Sequence, residues 1–488
     1  MTISTGRRRA ASAAAIAAML TLAGCADMSG IEPHAKLASS EAVGLNAHAA
    51  ASAPLADQWW RDFGDAQLDR LITQALQDNP SLKLAQARLE RAQSLTETAR
   101  AASLPQVNGQ LDISRQRFSA TGIIPPPLGG TTLNSGTLQL NASWELDFFG
   151  KNRAALDAAL NAAQAAQADA QAARVLLASN VARAYFQLAR INDQLAVAKR
   201  VLADRQQSLG LVQDRVRAGL DTQLELRQSE GALPDTRQQI EALEEQASLT
   251  QHALAALTGQ GNRTVVTEAP TLVSAKQLAL PAELPADLLG QRADILAARW
   301  RVEAAAHDVK NAKAQFYPNI NLMAFAGLSS IGLGRLLNAG SEQWSVGPAI
   351  RLPIFEAGRL RGNLRGKTAD LDAAVESYNG AVLEAIHDVA DQIASSQSIA
   401  RQQAQQREAQ AAAEGAYQIA LQRYGAGLGT FLNVLSAEGT VLNQRRLGVD
   451  LAARALDTQV ALMRALGGGM RGDTSAAAAP AVASRTME

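Results

Sequence analysis

Arg215-Val216-Arg217-Ala218-Gly219-Leu220-Asp221-Thr222 and Arg423-Tyr424-Gly425-Ala426-Gly427-Leu428-Gly429-Thr430 share the frame Arg-x-x-Ala-Gly-Leu-x-Thr. The two copies lie about 208 positions apart (423 minus 215). Each sits between a very long Ala/Gln-rich helical pattern and a shorter one. Each therefore reads as the tip of a helical hairpin, with Gly ending one helix and Thr opening the next. Solenoid units repeat every 20–50 residues or so, whereas this spacing marks a duplicated half-protein.

Working outward, the halves keep one order of elements. Leu68 to Ala102 is helical by pattern, divided at Asn79-Pro80, and Ala293 to Gln315 is its counterpart. Leu104-Pro105-Gln106-Val107 answers Tyr317-Pro318-Asn319-Ile320. Proline stops the helix there and the apolar pattern becomes two-periodic. Leu138, Leu140, Ala142, Trp144, Leu146 and Phe148 alternate with Gln139, Asn141, Ser143, Glu145 and Asp147. This strand, about eleven residues long, suffices to cross a bilayer in a tilted barrel. Its expected partner is Val107 to Phe118, and the second pair is Asn319–Ser330 with Trp344–Phe355. The weaker alternative is a hairpin with one face on a soluble core.

The long helices follow. Nothing breaks the pattern from Arg153 to Arg217, about 65 residues or roughly 100 Å. Leu177, Val181, Ala184, Leu188, Ile191, Leu195, Ala198 and Leu202 step by four and three, the signature of a left-handed coiled-coil seam. Leu233, Ile240, Ala247 and Leu254 repeat by seven in the return helix, where Pro234 is expected to kink or restart the chain. The second half is poorer in apolar residues, with Gln402-Gln403 and Gln405-Gln406 facing either a watery lumen or the outside.

The N-terminus reads as a lipoprotein signal. Arg7-Arg8-Arg9 precedes an apolar run, Ala10 to Leu22, and Leu22-Ala23-Gly24-Cys25 matches a lipobox. Acylation of Cys25 is the expected modification, the alternative being a plain signal with an incidental cysteine. With one cysteine, no intramolecular disulfide forms. The 488 residues carry zero net charge, which argues against nucleic acid as a partner. No later stretch is apolar enough for a spanning helix, so a membrane-spanning form requires a β-barrel. Enzyme chemistry finds no purchase. His34, His48, His252, His307 and His387 show no metal-ligand spacing, and neither a Walker loop nor a G-x-S-x-G is present.

Four strands leave two open edges in lipid, so a spanning chain must oligomerise; three copies give twelve strands and room for water. This arrangement, with the lipobox, Trp59-Trp60-Arg61-Asp62-Phe63-Gly64-Asp65, Ala312–Pro318, Leu352–Arg359 and the two tips, resembles the TolC-type outer-membrane factors of the acylated, NodT-like branch. The resemblance implies an α+β membrane protein: a homotrimeric twelve-stranded β-barrel continuous with a periplasmic α-helical coiled-coil barrel. It implies no cofactor beyond the lipid on Cys25, and location in the outer membrane with most of the mass in the periplasm. The partners it implies are a periplasmic adaptor and an inner-membrane pump. The implied function is a passive exit duct for small toxic compounds. The alternatives are a type I secretion duct, a coiled-coil spacer lipoprotein without a pore, and a periplasmic adaptor.

By position, the resemblance assigns adaptor contacts to Arg215, Gly219, Leu220 and Thr222 in the first tip. The second tip supplies Arg423, Gly427, Leu428 and Thr430. Tyr424 matches an aperture tyrosine, whereas Asn433 and Ser436 stand where the family often has acidic residues and Gly429 where some relatives have arginine. The expected divisions are a signal (1–24), a tether (25–58), a first repeat (59–275), a second repeat (276–467) and a disordered tail (468–488). The β-hairpins are expected at 106–149 and 319–355, and the long helical hairpins at 153–259 and 359–466.

Overall fold

The computed structural model describes residues 28–39, 56–261, 263, 265–276 and 292–469. Cys25, its signal and the tail beyond 469 lie outside them. Among the described residues the elements start with a 3-10 turn at Trp59–Phe63, then α1 (Ala66–Asp78), α2 (Pro80–Ala102), β1 (Gln106–Arg117) and β2 (Thr132–Leu146). The first long hairpin is α3 (Lys151–Arg217) with α4 (Gln223–Leu257). The second half runs α5 (Ala293–Ala314), β3 (Asn319–Ile331), β4 (Glu342–Arg351), α6 (Arg359–Gly425) and α7 (Phe431–Ala465). Two compact units share these elements.

The first unit draws its described residues from Met1–Leu37, Arg88–Ala166 and Ala297–Asn379. Its four-stranded antiparallel sheet has the order β1-β2-β3-β4. Directly opposed residues share a face, so Leu111↔Leu138↔Leu328, Leu140↔Ala326↔Trp344 and Ala324↔Val346 form one continuous apolar surface. Leu111, Leu138, Leu140, Trp344, Val346 and Ile350 on it are all exposed. The soluble-core alternative fails here, because these side chains have no core to rest on. The opposite face carries a polar lattice: Ser114–Ser135 at 2.8 Å, Thr137–Ser329 at 3.2 Å, and Gln139 donating to Asn141 at 3.0 Å. An apolar outside and a polar inside is the pattern of a membrane barrel wall. Gly327 is required in this wall, since a Cβ there would meet the Leu138 carbonyl at 2.3 Å.

The strands differ from expectation at their ends. β2 starts at Thr132 rather than Leu138, and β4 spans Glu342–Arg351 rather than Trp344–Phe355. Leu352 and Ile354 flank Pro353 beyond the end of β4, where proline supplies no N–H to a ladder. At the same sheet end Phe149 stacks on Tyr317 at 4.9 Å, and Phe148 and Phe355 are exposed beside them.

Residues 28–37 lie against this unit as an extended strap. Ile31 is buried among Val309, Ala312, Phe316, Leu360 and Leu364. Arg361 donates to the Ser29 carbonyl at 3.2 Å, and the N–H groups of His34 and Ala35 donate to Asp372 Oδ1 at 2.9 and 3.0 Å. Asn379 donates to the Lys36 carbonyl at 3.0 Å. The partners on α6 advance from 361 to 379 while the strap advances from 29 to 36. That ratio fits an extended chain rising about 3.3 Å per residue beside a helix rising about 1.5 Å.

The second unit draws its described residues from Ala38–Ala87, Gln167–Leu296 and Gly380–Glu488. Its core gathers Trp59, Trp60, Phe63, Leu68 and Ile72 against Val181, Tyr185, Phe186 and Leu188 of α3, with Leu254, Leu456 and Val460. Phe63 meets Phe186 edge-on at 5.1 Å. Asp65 caps α1 through the N–H groups of Gln67 and Leu68, at 2.9 and 3.0 Å, and accepts the Tyr185 hydroxyl at 2.8 Å. Burial, then the Asp65 carboxylate, pushes the Tyr185 hydroxyl pKa well up. The α3 seam is accordingly wider than a heptad, with Ala178, Ala182 and Ala189 buried as well. The glutamine run is partly inward: Gln406 donates to the Gln444 carbonyl of α7 at 2.7 Å and Gln403 to Leu451 at 3.4 Å, whereas Gln402 and Gln405 are exposed.

Of the two outcomes expected at Pro234, a kink or a restart, the restart does not occur, because α4 is one helix from Gln223 to Leu257. Of the expected tail only residues 468 and 469 are described, Gly468 donating its N–H to the Met463 carbonyl at 2.9 Å.

Candidate functional site

Both tips end their long helices in the same way. Leu220 N–H reaches the Arg215 carbonyl at 2.9 Å and Gly219 N–H reaches Val216 at 3.0 Å. Leu428 to Arg423 at 2.8 Å and Gly427 to Tyr424 at 3.0 Å repeat the pattern. These are paired Schellman closures, which need a left-handed residue; Gly219 and Gly427 supply it at φ +72° and +74°. The leucines that follow remain free: Leu220 is 65% and Leu428 68% exposed, with Leu224 at 63% and Leu432 at 65% one turn on.

The next helices open differently. Thr222 forms a full capping box: its Oγ1 accepts Leu224 N–H at 3.1 Å, and Glu225 accepts the Thr222 N–H at 2.9 Å. The Thr222 hydroxyl and backbone hold the Glu225 carboxyl below its usual range. Thr430 makes no side-chain cap bond, and Asn433 occupies the place of Glu225.

The two tips are joined. Arg215 binds Asp221 through Nε–Oδ2 at 2.9 Å and Nη2–Oδ1 at 3.3 Å, and its guanidinium lies 4.6 Å from the Tyr424 ring centre. The Tyr424 hydroxyl donates to Asp221 Oδ2, and its ring meets Phe431 at 5.5 Å within a cluster completed by Val212 and Val434. Burial acts to raise the Asp221 pKa, but the Arg215 and Tyr424 bonds and the Arg215 charge outweigh it, leaving the carboxyl below 3.8. Burial, then the bond to Asp221, raises the Tyr424 hydroxyl. Tyr424 is only 1% exposed. Within one chain it is therefore a tie between the two hairpins. Asn433 and Ser436 are exposed, and Arg423 turns back to the Leu428 carbonyl at 3.2 Å. Asp221 and Phe431 escaped the sequence reading, although Asp221 stands out as a position where the tips differ. Among the described residues no group of His, Cys, Asp and Glu could hold a metal ion.

The family model for outer membrane efflux proteins matches residues 71–260 and 284–468. The chain belongs to that family. It is 41% identical over 375 residues to the fusaric acid resistance protein FusA of Burkholderia cepacia, covering 73% of this chain and 69% of that one. It is 33% identical over 424 residues to the putative multidrug resistance outer membrane protein MdtQ of Escherichia coli, covering 85% and 88%. The outer membrane protein VceC of Vibrio cholerae superposes with a TM-score of 0.81 at 38% identity, over 86% of this chain and all of that one. The fold class is that of outer-membrane channels, a β-barrel wall combined with long α-helical hairpins in two repeats. The protein is an outer-membrane efflux component and not an enzyme.

Proposed function

We propose that three copies of the chain close a twelve-stranded barrel and conduct small toxic compounds passively outward as the exit duct of a tripartite pump. The unpaired edges of β1 and β4 support the association, since an open edge is costly in lipid. The tie from Tyr424 to Asp221 carries the gating part of the reading: it fastens the second hairpin to the first, and parting it frees the second tip. An adaptor helical hairpin, presenting apolar side chains to Leu220, Leu224, Leu428 and Leu432, supplies the force. Arg215, Thr222 and Arg423 hold the loops that carry those leucines, Thr430 lies beside them as a further contact, and an inner-membrane pump supplies the energy. Asn433 and Ser436 face the aperture and make it less acidic than in many relatives.

Cys25 carries the lipid in this reading. The described chain nearest to it, the strap, has its Ser29 end at the first turn of α6 next to the sheet. The names of FusA and MdtQ favour resistance to small molecules over protein secretion.

The test is adaptor capture. Leu220→Asn with Leu428→Asn leaves both Schellman closures intact, and we expect at least a tenfold weaker complex with the cognate adaptor and a matching loss of resistance. Undiminished binding by an intact, inserted trimer refutes the tip as the docking site.

A further inference from the structure

Ten residues before Arg215 on α3, Arg205 joins three helices. Its Nη1 donates to the Ala232 carbonyl at 2.9 Å and to Thr236 Oγ1 at 2.8 Å, and Asp235 Oδ2 lies 3.7 Å away; all three belong to the turn of α4 that contains Pro234. Its Nε donates to Glu438 Oε2 of α7 at 3.2 Å. The side chains of Arg205 and Glu438 are only 15% and 10% exposed. Ser229 and Thr236 beside them are buried. Among the described residues, Glu438 has no other ion pair or hydrogen bond through its carboxylate. Arg205 by contrast keeps its α4 partners whatever Glu438 does.

We propose that Arg205 is a positioning residue for the aperture, the cation that lets Glu438 of the second hairpin remain buried against the first. This rests on the aperture reading above. Pro234 fits the role. It cannot donate to the Glu230 carbonyl, and the Arg205 head braces the same turn of α4.

The two members of the pair are unequal. Removing Arg205 leaves a buried carboxylate without a counter-charge, which the closed hairpins cannot tolerate and open hairpins can hydrate. Removing the charge of Glu438 leaves Arg205 partnered by Ala232, Thr236 and Asp235, and the closed state survives. The charged groups acting on Glu438 are Arg205 and Asp204 from α3; Tyr417 of α6 lies within reach of its charge, and Asp235 of α4 faces Arg205 from the other side. Burial raises the Glu438 carboxyl, against the opposing pull of Arg205. The closed form therefore has the higher proton affinity, and acid favours closure.

The experiment is single-channel recording of the purified, acylated trimer in planar bilayers, with Asp221→Asn measured in parallel. Arg205→Met is expected to open roughly tenfold more often at about pH 7.5 than the native chain. Adding Glu438→Gln, or lowering the pH to about 5.5, is expected to restore the native frequency. Arg205→Lys, which keeps the charge, stays near native. The proposal is overturned if Arg205→Met behaves as native, or if its openings ignore both Glu438→Gln and pH, which marks a packing role. Should Arg205→Met fail to assemble, recovery of the trimer by Glu438→Gln supports the pairing, and continued failure overturns it. If Asp221→Asn opens the channel and Arg205→Met does not, the aperture reading stands and this proposal falls. If neither variant alters an inserted trimer, both fall.

Discussion

Both tips make the same backbone closure, but the first satisfies its side chains within its own loop and the second reaches across to the first. Arg215 has Asp221 for a partner in its own loop, and Thr222 has Glu225. At the matching positions the second tip has Gly429 and Asn433, so Arg423 turns to a backbone carbonyl and Thr430 caps nothing with its side chain. In return the second tip has Tyr424 where the first has Val216, and that ring reaches across to Asp221 and Arg215. Duplication supplied two equal hairpins; divergence at three positions made one a self-sufficient anchor and the other a dependent arm. In the gating proposed above, the arm is the part that moves.

The largest expected effect comes from cutting the arm loose. Tyr424→Ala removes a buried ring, its hydroxyl bond and the stacked guanidinium together, a loss of about 3 kcal/mol at the join. Openings of the purified channel should then rise on the order of a hundredfold, while the first tip keeps its protection from hydrogen exchange. If exchange rises equally at both tips, the anchor-and-arm distinction is wrong.

Asp221→Asn is the next in size, since the amide keeps the shape but loses the charge for Arg215. About a tenfold rise in openings is expected, as fits a charge-assisted bond of roughly 1.5–3 kcal/mol. The pH dependence has a definite sign. The folded carboxyl lies below its ordinary value of 3.8, so its contribution is complete above that value and is lost as pH falls through the folded one. The native join should hold throughout mildly acid conditions. Loosening well above pH 3.8 would show that Asp221 does not govern it.

The sequence displays the periodic parts of this molecule and conceals the paired ones. Alternation over Leu138–Leu146 and the four-three stepping from Leu177 to Leu202 are local patterns, so strand and helix were legible. The Gly219 and Gly427 closures were legible for the same reason. Tyr424 and Asp221 are 203 residues apart, and nothing in either neighbourhood announces the bond. The breadth of the buried face of α3 was equally hidden, because it depends on Trp59, Trp60 and Phe63 arriving from a distant part of the chain. The glutamines misled in another way. A polar side chain reads as solvated, yet Gln406 lies over Gly448 and satisfies a carbonyl of α7. Gln406 could be recognised only with its neighbour in view.

The smallest expected effect is the sharpest test of the comparison, because it changes the helix caps and leaves the join untouched. Thr222→Ala removes a capping oxygen that holds Leu224 N–H, at a cost of about 1 kcal/mol to the first turn of α4. Thr430→Ala removes a hydroxyl with no capping bond and should cost almost nothing. Asn433→Glu then offers the second tip the residue its twin already has, and its side chain is exposed enough to reach back to the Thr430 N–H. A gain of about 0.5 kcal/mol in the first turn of α7 is the expected scale for completing the box. Hydrogen exchange at residues 223–225 and 431–433 reads each change locally. Thr222→Ala should speed exchange about fivefold at the first set, and Asn433→Glu should slow it about twofold at the second. Equal responses to the two threonine changes would mean that the tips are capped alike, and the difference between anchor and arm would then rest on Tyr424 alone.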